Sequence, residues 1–170
     1  MNGVRATLTH TDGSGKASMV DVGGKAATAR TAVASGTIRM AAATLAAVRD
    51  NQIAKGDVLG VARIAGIMAA KRTADLIPLC HPVPVTHVDV TLQLDDSIPG
   101  VRALGTASTV AQTGIEMEAI VAVSIALTTI YDMAKSGDRA MVIGDIRLES
   151  KTGGASGSYA REGARADRNA

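Results

Sequence analysis

Hydrophobic residues follow two different periods along this chain, and these periods predict its elements. Val88, Val90, Leu92 and Leu94 alternate with other residues, which is typical of a strand that buries one face. Elsewhere, apolar residues recur at steps of three and four, which is typical of amphipathic helices. With glycine, proline and capping signals added, the pattern predicts strands over 31–40, 85–94, 101–111 and 142–150, and helices over 41–49, 58–71 and 114–136.

The order of these elements predicts the fold class. A pair of helices follows the first strand, the next two strands form a hairpin, and the longest helix precedes the last strand. This is the split βαβ, ferredoxin-like arrangement, an α+β fold in which helices cover one face of an antiparallel sheet. The other face stays open, and we therefore expect the protein to be oligomeric.

Glycine and polar residues set the expected limits of the fold. Residues 1–158 are predicted to form a single domain, of which residues 1–20 form a partly irregular arm. Residues 159–170 are predicted to be a disordered tail. Within the domain, Asp57 is the expected N-cap of the second helix, whose apolar face is expected to contain Val61, Ile64, Ala65 and Met68.

The amino-acid composition indicates which side chains form the core and which class of partner is excluded. The chain has no Phe, no Trp and only two Tyr, so small aliphatic side chains must form the core and its elements can pack closely. The net charge of +2 and the scarcity of aromatic rings argue against a nucleic-acid partner, including RNA bound on a ferredoxin-like sheet.

Cysteine content and hydropathy bear on location. Cys80 is the only cysteine, so no intrachain disulfide can form and a reducing compartment is expected. We find no apolar run near the roughly 18 residues that span a bilayer, and no signal peptide. A cytoplasmic location without a membrane partner is therefore expected.

Carboxylates on the predicted long helix are the first candidate chemical groups. Thr113 and Glu116 match a capping box, which is a structural explanation for Glu116. Glu118 lies in an apolar stretch, where a buried carboxylate needs a positive partner. Asp132 and Lys135 are spaced like an ordinary surface ion pair or a catalytic pair. Because Glu118 and Asp132 are about 21 Å apart along a helix, one small ligand can touch both only where two subunits meet.

Basic residues form a second, scattered set: Lys25, Arg30, Lys55, Lys71, Arg72, Lys135 and Lys151. Lys55 precedes a helix N-terminus, where backbone donors favour anions. Lys71 and Arg72 end that helix, so compensation of the helix dipole is the preferred explanation for them. Lys151 precedes a glycine-rich segment, residues 153–157, that is either a phosphate-binding loop or merely flexible.

A proline-braced loop over residues 79–82 holds the remaining candidates. Adjacent side chains in extended chain point apart, so Cys80 and His81 are not expected to form a nucleophilic thiol–imidazole pair. Together with His10 and His87, their spacing matches no common zinc site, and we predict no metal site. His81 is the better functional candidate, whereas His87 is expected to be structural.

Seven strings along the chain, which contain several of these residues, together resemble one known family: Met19 to Val22, Lys55 to Asp57, Ala62 to Ile67, Ala69 to Thr73, Asp75 to Pro82, Thr113 to Ala119 and Ile130 to Met133. The chain resembles the cyclic pyranopterin monophosphate synthases, the MoaC family of molybdenum cofactor biosynthesis, over residues 8–158. Leu-Ile-Pro-Leu-Cys-His-Pro and Glu-Met-Glu-Ala are the most specific strings.

The resemblance implies a lyase that converts 3′,8-cyclo-7,8-dihydroguanosine 5′-triphosphate to cyclic pyranopterin monophosphate and diphosphate. It implies a homohexamer, a trimer of dimers with composite sites at the dimer interface, and no cofactor, with Mg²⁺ on the triphosphate left open. It assigns catalysis to Lys55, Lys135 and Asp132. It assigns substrate binding to Leu79, Cys80, His81, Met117, Glu118, Glu116, Arg30, Lys25, Lys71 and Lys151.

Three positions depart from the pattern of some relatives. Ala134 replaces a cysteine, so no thiol is needed there, and Gln112 and Ala155 replace lysines, so fewer phosphate contacts are expected. The residues alone also leave a non-enzymatic alternative, a ferredoxin-like module that senses a nucleotide. Such a sensor needs basic contacts but no acid–base cluster, and release of pyrophosphate from the cyclised nucleotide separates the two functions.

Overall fold

A computed structural model describes residues 16–162 of the chain. All predicted strands and helices are present, with two short additional elements, α3 and β5. In chain order the elements are β1 (Thr28–Arg39), α1 (Ala42–Arg49), α2 (Val58–Ala70), α3 (Thr73–Leu76), β2 (Val85–Asp95), β3 (Gly100–Ala111), α4 (Glu116–Ala134), β4 (Val142–Thr152) and β5 (Tyr159–Ala160).

The strands form one five-stranded sheet in the order β2-β3-β1-β4-β5, and every neighbouring pair is antiparallel. Central strand β1 pairs with β3 along its whole length, from Thr28 opposite Ala111 to Arg39 opposite Gly100. Strands β1 to β4 have the order of a ferredoxin-like sheet. The predicted α+β, ferredoxin-like fold is therefore confirmed.

Helix α4 packs directly on the sheet because the strands present small residues to it. Along β3, Val101, Ala103 and Ala107 are buried, whereas Arg102 and Leu104 face outward and are exposed. A Cβ atom added to Gly105 would lie 3.0 Å from the backbone oxygen of Ala119 and 2.9 Å from Val123 of α4. The ring-free core thus allows the close approach expected from the composition.

Helix α2 begins as predicted but presents another face to the core. The Asp57 carboxylate accepts a hydrogen bond from the Gly60 amide at 2.8 Å, which confirms the N-cap. Val61, Ile64 and Met68 are 45%, 60% and 51% exposed. Most of the face that was expected to pack on the core therefore faces outward.

Close contact between α2 and α4 explains this difference. The buried residues of α2 are Val58, Ala62, Gly66, Ala69 and Ala70. A Cβ atom at Gly66 would lie 2.7 Å from the backbone oxygen of Ala122, so the two helices touch where side chains are smallest. The larger apolar residues are excluded from this contact and form an exposed stripe.

Helix α4 differs from the predictions at its start and in its hydropathy. It begins at Glu116, its N-cap is Ile115, and no side chain caps it, so the predicted capping box at Thr113 is wrong. Glu116 instead turns towards Lys151. The helix is also long and apolar enough to cross a membrane, contrary to the expectation from hydropathy. Its packing against the sheet and α2 explains that apolarity, because Ala122, Val123 and Leu127 are fully buried.

Strand β5 lies in the segment predicted to be a disordered tail. Tyr159 pairs with Lys151 and Ala160 pairs with Ser150, so β4 is followed by a fifth strand. The predicted start of the tail at residue 159 is therefore wrong for these two residues, because the free edge of β4 offers them backbone partners. The predictions for the arm before residue 16 and the tail after residue 162 lie outside the described residues.

Candidate active site

The C-terminal end of α4 brings Lys55, from a distant loop, to a pair of neighbouring residues of α4. One carboxylate oxygen of Asp132 accepts a hydrogen bond from the Lys135 ammonium group at 2.6 Å. The other accepts from Lys55, in the loop before α2, at 2.7 Å. Lys55 also donates to the backbone oxygen of Asp132 at 3.0 Å. We call Lys55, Asp132 and Lys135 the lysine–aspartate cluster.

This cluster fixes the charge of Asp132. Hydrogen bonds from Lys135 and then from Lys55 lower the pKa of the Asp132 carboxyl to about 2, so it is ionised near neutral pH. An ammonium group has three donors. Lys55 uses two of them on Asp132, whereas Lys135 uses one. Both lysines therefore keep donors for a ligand while the carboxylate orients them.

A surface depression of about 310 Å³ opens beside the cluster, lined by Lys55, Tyr131, Asp132, Lys135, Ser136 and Arg139. The Tyr131 hydroxyl donates to the backbone oxygen of Arg139 at 3.2 Å and holds the loop after α4 against the helix. Sequence reasoning missed Tyr131, Ser136 and Arg139. Helical spacing offers no signal for Arg139, because it follows the end of α4.

The N-terminal end of α4 holds a second group, which we call the glutamate cluster: Glu116, Glu118, Cys80, Arg30 and Lys151. Glu118 is 2% exposed, and its Oε2 atom has no hydrogen-bond partner among the described residues. Burial, opposed by its own backbone amide and aided by nearby Glu116, raises the pKa of Glu118. The positive partner expected for a buried carboxylate is therefore not seen at Glu118 in the described part of the chain.

Cys80 and His81 interact with different groups. The Cys80 thiol lies 4.0 Å from Oε1 of Glu118. Burial, followed by the charges of Glu118 and Glu116, raises the pKa of this thiol. The His81 ring instead makes a 2.7 Å hydrogen bond with the backbone oxygen of Val20. The two side chains therefore form no nucleophilic pair, as their adjacency predicts.

Lys151 and Arg30 make specific contacts beside Glu116. The Lys151 ammonium group lies 3.4 Å from Oε1 of Glu116 and donates to the Ser156 hydroxyl. Arg30 donates to the backbone oxygens of Ala111 at 3.0 Å and Gln112 at 3.2 Å. These partners hold both cations in place at the N-terminal end of α4.

The glycines after β4 form a defined turn rather than featureless chain. Gly153 and Gly154 have φ values of +85° and +78°, which L side chains rarely adopt. Gly154 also lies against the Arg30 guanidinium, with no room for a Cβ atom. This segment is therefore shaped around Arg30.

Four further predicted site residues lie at or near the surface. Lys71 is the exposed C-cap of α2, and Leu79 is exposed beside Cys80. Lys25 is exposed in the turn that Gln112 contacts through the backbone oxygen of Gly23. Met117 is half-buried in the first turn of α4.

The two clusters occupy opposite ends of one helix. Because α4 rises about 1.5 Å per residue, Glu118 and Asp132 are about 21 Å apart along its axis. A single subunit therefore presents the predicted site residues as two separate groups rather than one pocket.

A model of the MoaC family matches residues 19–154. The chain belongs to the MoaC family. The match includes every residue of both clusters and Arg139. MoaC proteins are enzymes of molybdenum cofactor biosynthesis that act on a nucleotide-derived substrate, so the resemblance found in the sequence strings is confirmed.

The described part of this MoaC chain contains no group of side chains suited to bind a metal ion. Between residues 16 and 162, no three His, Cys, Asp or Glu side chains are grouped so that they could hold a metal ion. Among the acidic residues of the two clusters, Asp132 and Glu116 are paired with lysines, and Glu118 is buried. Catalysis without a protein-bound metal stays a prediction.

Proposed function

We propose that this MoaC-family protein is a cyclic pyranopterin monophosphate synthase. It is a lyase that converts 3′,8-cyclo-7,8-dihydroguanosine 5′-triphosphate to cyclic pyranopterin monophosphate and diphosphate. The observation that carries this proposal is the lysine–aspartate cluster, in which one ionised carboxylate orients two ammonium groups at the edge of an open depression.

The cluster suits the proton transfers that such a rearrangement requires. Asp132 keeps its charge near neutral pH and binds Lys55 and Lys135 through the two oxygens of one carboxylate. Each lysine can donate a proton to a developing anion on the substrate and recover it in a later step. In this proposal Asp132 orients the two lysines, and the lysines are the acid–base groups.

The second cluster completes the site from a neighbouring subunit in this proposal. Arg30, Lys151, Lys71 and Lys25 supply cations for the phosphates, while the loop with Leu79, Cys80 and His81 and the helix turn with Glu116, Met117 and Glu118 contact the remaining substrate. Since about 21 Å separates the clusters along α4, we propose composite sites at a dimer interface. The assembly is a homohexamer built as a trimer of dimers, and the exposed stripe of Val61, Ile64 and Met68 supports association.

The remaining features of the proposal concern cofactors and location. The protein binds no cofactor of its own, and any Mg²⁺ arrives with the triphosphate. The substrate is a small nucleotide-derived molecule, without a nucleic-acid or membrane partner. We place the enzyme in the cytoplasm, where a single free cysteine stays reduced.

Lysine substitutions test the proposal. Lys55→Ala and Lys135→Ala are expected to keep the fold and to lower turnover by about 10²- to 10⁴-fold, because each removes a proton-transfer group. Pyrophosphate release and formation of the cyclic monophosphate are measured on the cyclised nucleotide, with circular dichroism as the check on folding. Arg49→Ala is the matched control, because it breaks another exposed ion pair, with Asp96 at 2.6 Å.

Two results would contradict the proposal. Wild-type rates in both lysine variants would exclude their acid–base role. Binding of the cyclised nucleotide without product formation by the wild-type protein would instead favour the nucleotide sensor.

A further inference from the structure

Arg139 is the one cation of the depression that no described residue neutralises. Lys55 and Lys135 are both paired with Asp132. The Arg139 guanidinium lines the same depression, is exposed, and makes no ion pair or side-chain hydrogen bond within residues 16–162. Among the described residues, the unpaired positive charge of the depression therefore lies at Arg139.

The nearest acidic residue in sequence, Asp138, is committed elsewhere. One of its carboxylate oxygens accepts hydrogen bonds from the Ala41 amide at 2.8 Å and the Thr44 hydroxyl at 3.2 Å. The other accepts from the Ala140 amide at 3.0 Å. Asp138 thus ties the loop to the start of α1 and does not serve as a counterion for its neighbour Arg139.

The same contacts fix the backbone from which Arg139 projects. The Tyr131 hydroxyl donates to the backbone oxygen of Arg139 at 3.2 Å. The Asp138 carboxylate accepts from the amide of Ala140, the residue after Arg139, and from the Ala41 amide at the start of α1. The loop is thus attached to both α4 and α1. A guanidinium on a fixed backbone, with no partner in the described part of the chain, is prepared to bind an anion with little reorganisation.

We propose that Arg139 binds a phosphate group of the ligand in this depression. A guanidinium is a planar fork that donates two parallel hydrogen bonds to phosphate oxygens, so it suits a phosphate better than an ammonium group does. Arg139 then binds the phosphate, and Lys55 and Lys135, which are held by Asp132, serve in proton transfer. For its phosphate-bearing ligand, this inference rests on the proposed function.

Binding of inorganic pyrophosphate to the full-length protein tests this role without turnover. Isothermal titration calorimetry on Arg139→Gln is expected to show affinity at least about tenfold below wild type, since a charge-assisted hydrogen bond of this kind is lost. Arg139→Lys keeps the charge without the fork and is expected to fall between the two. Arg49→Gln, in the exposed ion pair with Asp96, is expected to bind as wild type does.

The possible outcomes separate this inference from the proposed function. Unchanged pyrophosphate affinity in Arg139→Gln, equal loss in Arg49→Gln, or no binding by the wild type would overturn the role of Arg139. Thermal melting of each variant checks that lost binding is not lost folding. A wild-type protein that binds pyrophosphate through Arg139 but forms no cyclic monophosphate would contradict the proposed function alone.

Discussion

Glu118 and Asp132 lie on the same helix in opposite electrostatic surroundings. Asp132 is 52% exposed and is bound by two ammonium groups, which lower its pKa to about 2. Glu118 is buried, contacts no cation within residues 16–162 and has a raised pKa. The first carboxyl is therefore held in its charged form, whereas the fold favours the neutral form of the second.

Glu118→Gln is expected to stabilise the protein at neutral pH. The pKa of Glu118 is raised above its ordinary value of 4.5, so the folded state binds more protons than the unfolded state above that pH. Wild-type stability thus falls as pH rises from 4.5 through the raised pKa, and the variant escapes this loss. Thermal or urea unfolding is expected to show a gain of about 1–3 kcal/mol at pH 8 and a smaller gain at pH 4, because the variant has no carboxylate charge to desolvate.

Asp132→Asn is the comparison variant, because the lowered pKa of Asp132 affects the pH dependence of stability in the opposite direction to the raised pKa of Glu118. The lowered pKa of Asp132 contributes a small stability that is present above pH 3.8 and is lost as pH falls towards about 2. Asparagine removes that contribution.

A gain in Glu118→Gln that is the same at pH 4 and pH 8 would show that Glu118 is not held neutral by the fold.

Part of this chemistry is visible in local spacing. The three-residue step from Asp132 to Lys135 predicts their pairing, and it is observed. Lys55 joins them from a distant loop, so only the family resemblance and the fold connect it to α4. Arg139 has no local signal, because its position depends on the bonds that Tyr131 and Asp138 make across the loop.

At the scale of elements, periodicity predicts where α2 lies but not how it is rotated. Its largest apolar residues recur at helical spacing, yet the contact with α4 selects the smallest residues. A pattern based on side-chain hydrophobicity gives glycine and alanine little weight, although they allow the closest packing. A different cause hides the start of α4, where an ion pair with the distant residue Lys151 replaces the capping bond expected for Glu116.

Gly66→Val is expected to destabilise the protein by about 2–3 kcal/mol through overpacking. The new side chain would meet the backbone oxygen of Ala122 at 2.7 Å from its Cβ atom and Ala126 at 3.2 Å, and a backbone atom cannot turn aside. Urea unfolding measures the change. Arg63→Val places the same residue on the exposed side of α2 and is expected to cost less than about 1 kcal/mol; equal losses in both variants would point to helix propensity instead of packing.

At the scale of the whole molecule, one helix separates the groups that the proposed reaction needs together. The lysine–aspartate cluster lies at the C-terminal end of α4 and the glutamate cluster at its N-terminal end. Each cluster alone is incomplete for a triphosphate that must be both held and rearranged. Two subunits related by a twofold axis can place the C-terminal end of one α4 beside the N-terminal end of the other, and such an interface contains two equivalent sites.

Mixing two inactive variants tests this arrangement. Lys55→Ala lacks the first cluster and Lys151→Ala lacks a cation of the second, so each alone is expected to be nearly inactive. In a random one-to-one mixture after subunit exchange, about one site in four combines the intact cluster of each variant, and about a quarter of wild-type pyrophosphate release is expected. If both clusters served a site within one chain, every site would carry a defect and mixing would restore nothing. Unmixed variants at the same total concentration are the control, and activity that stays at their level would exclude the shared site.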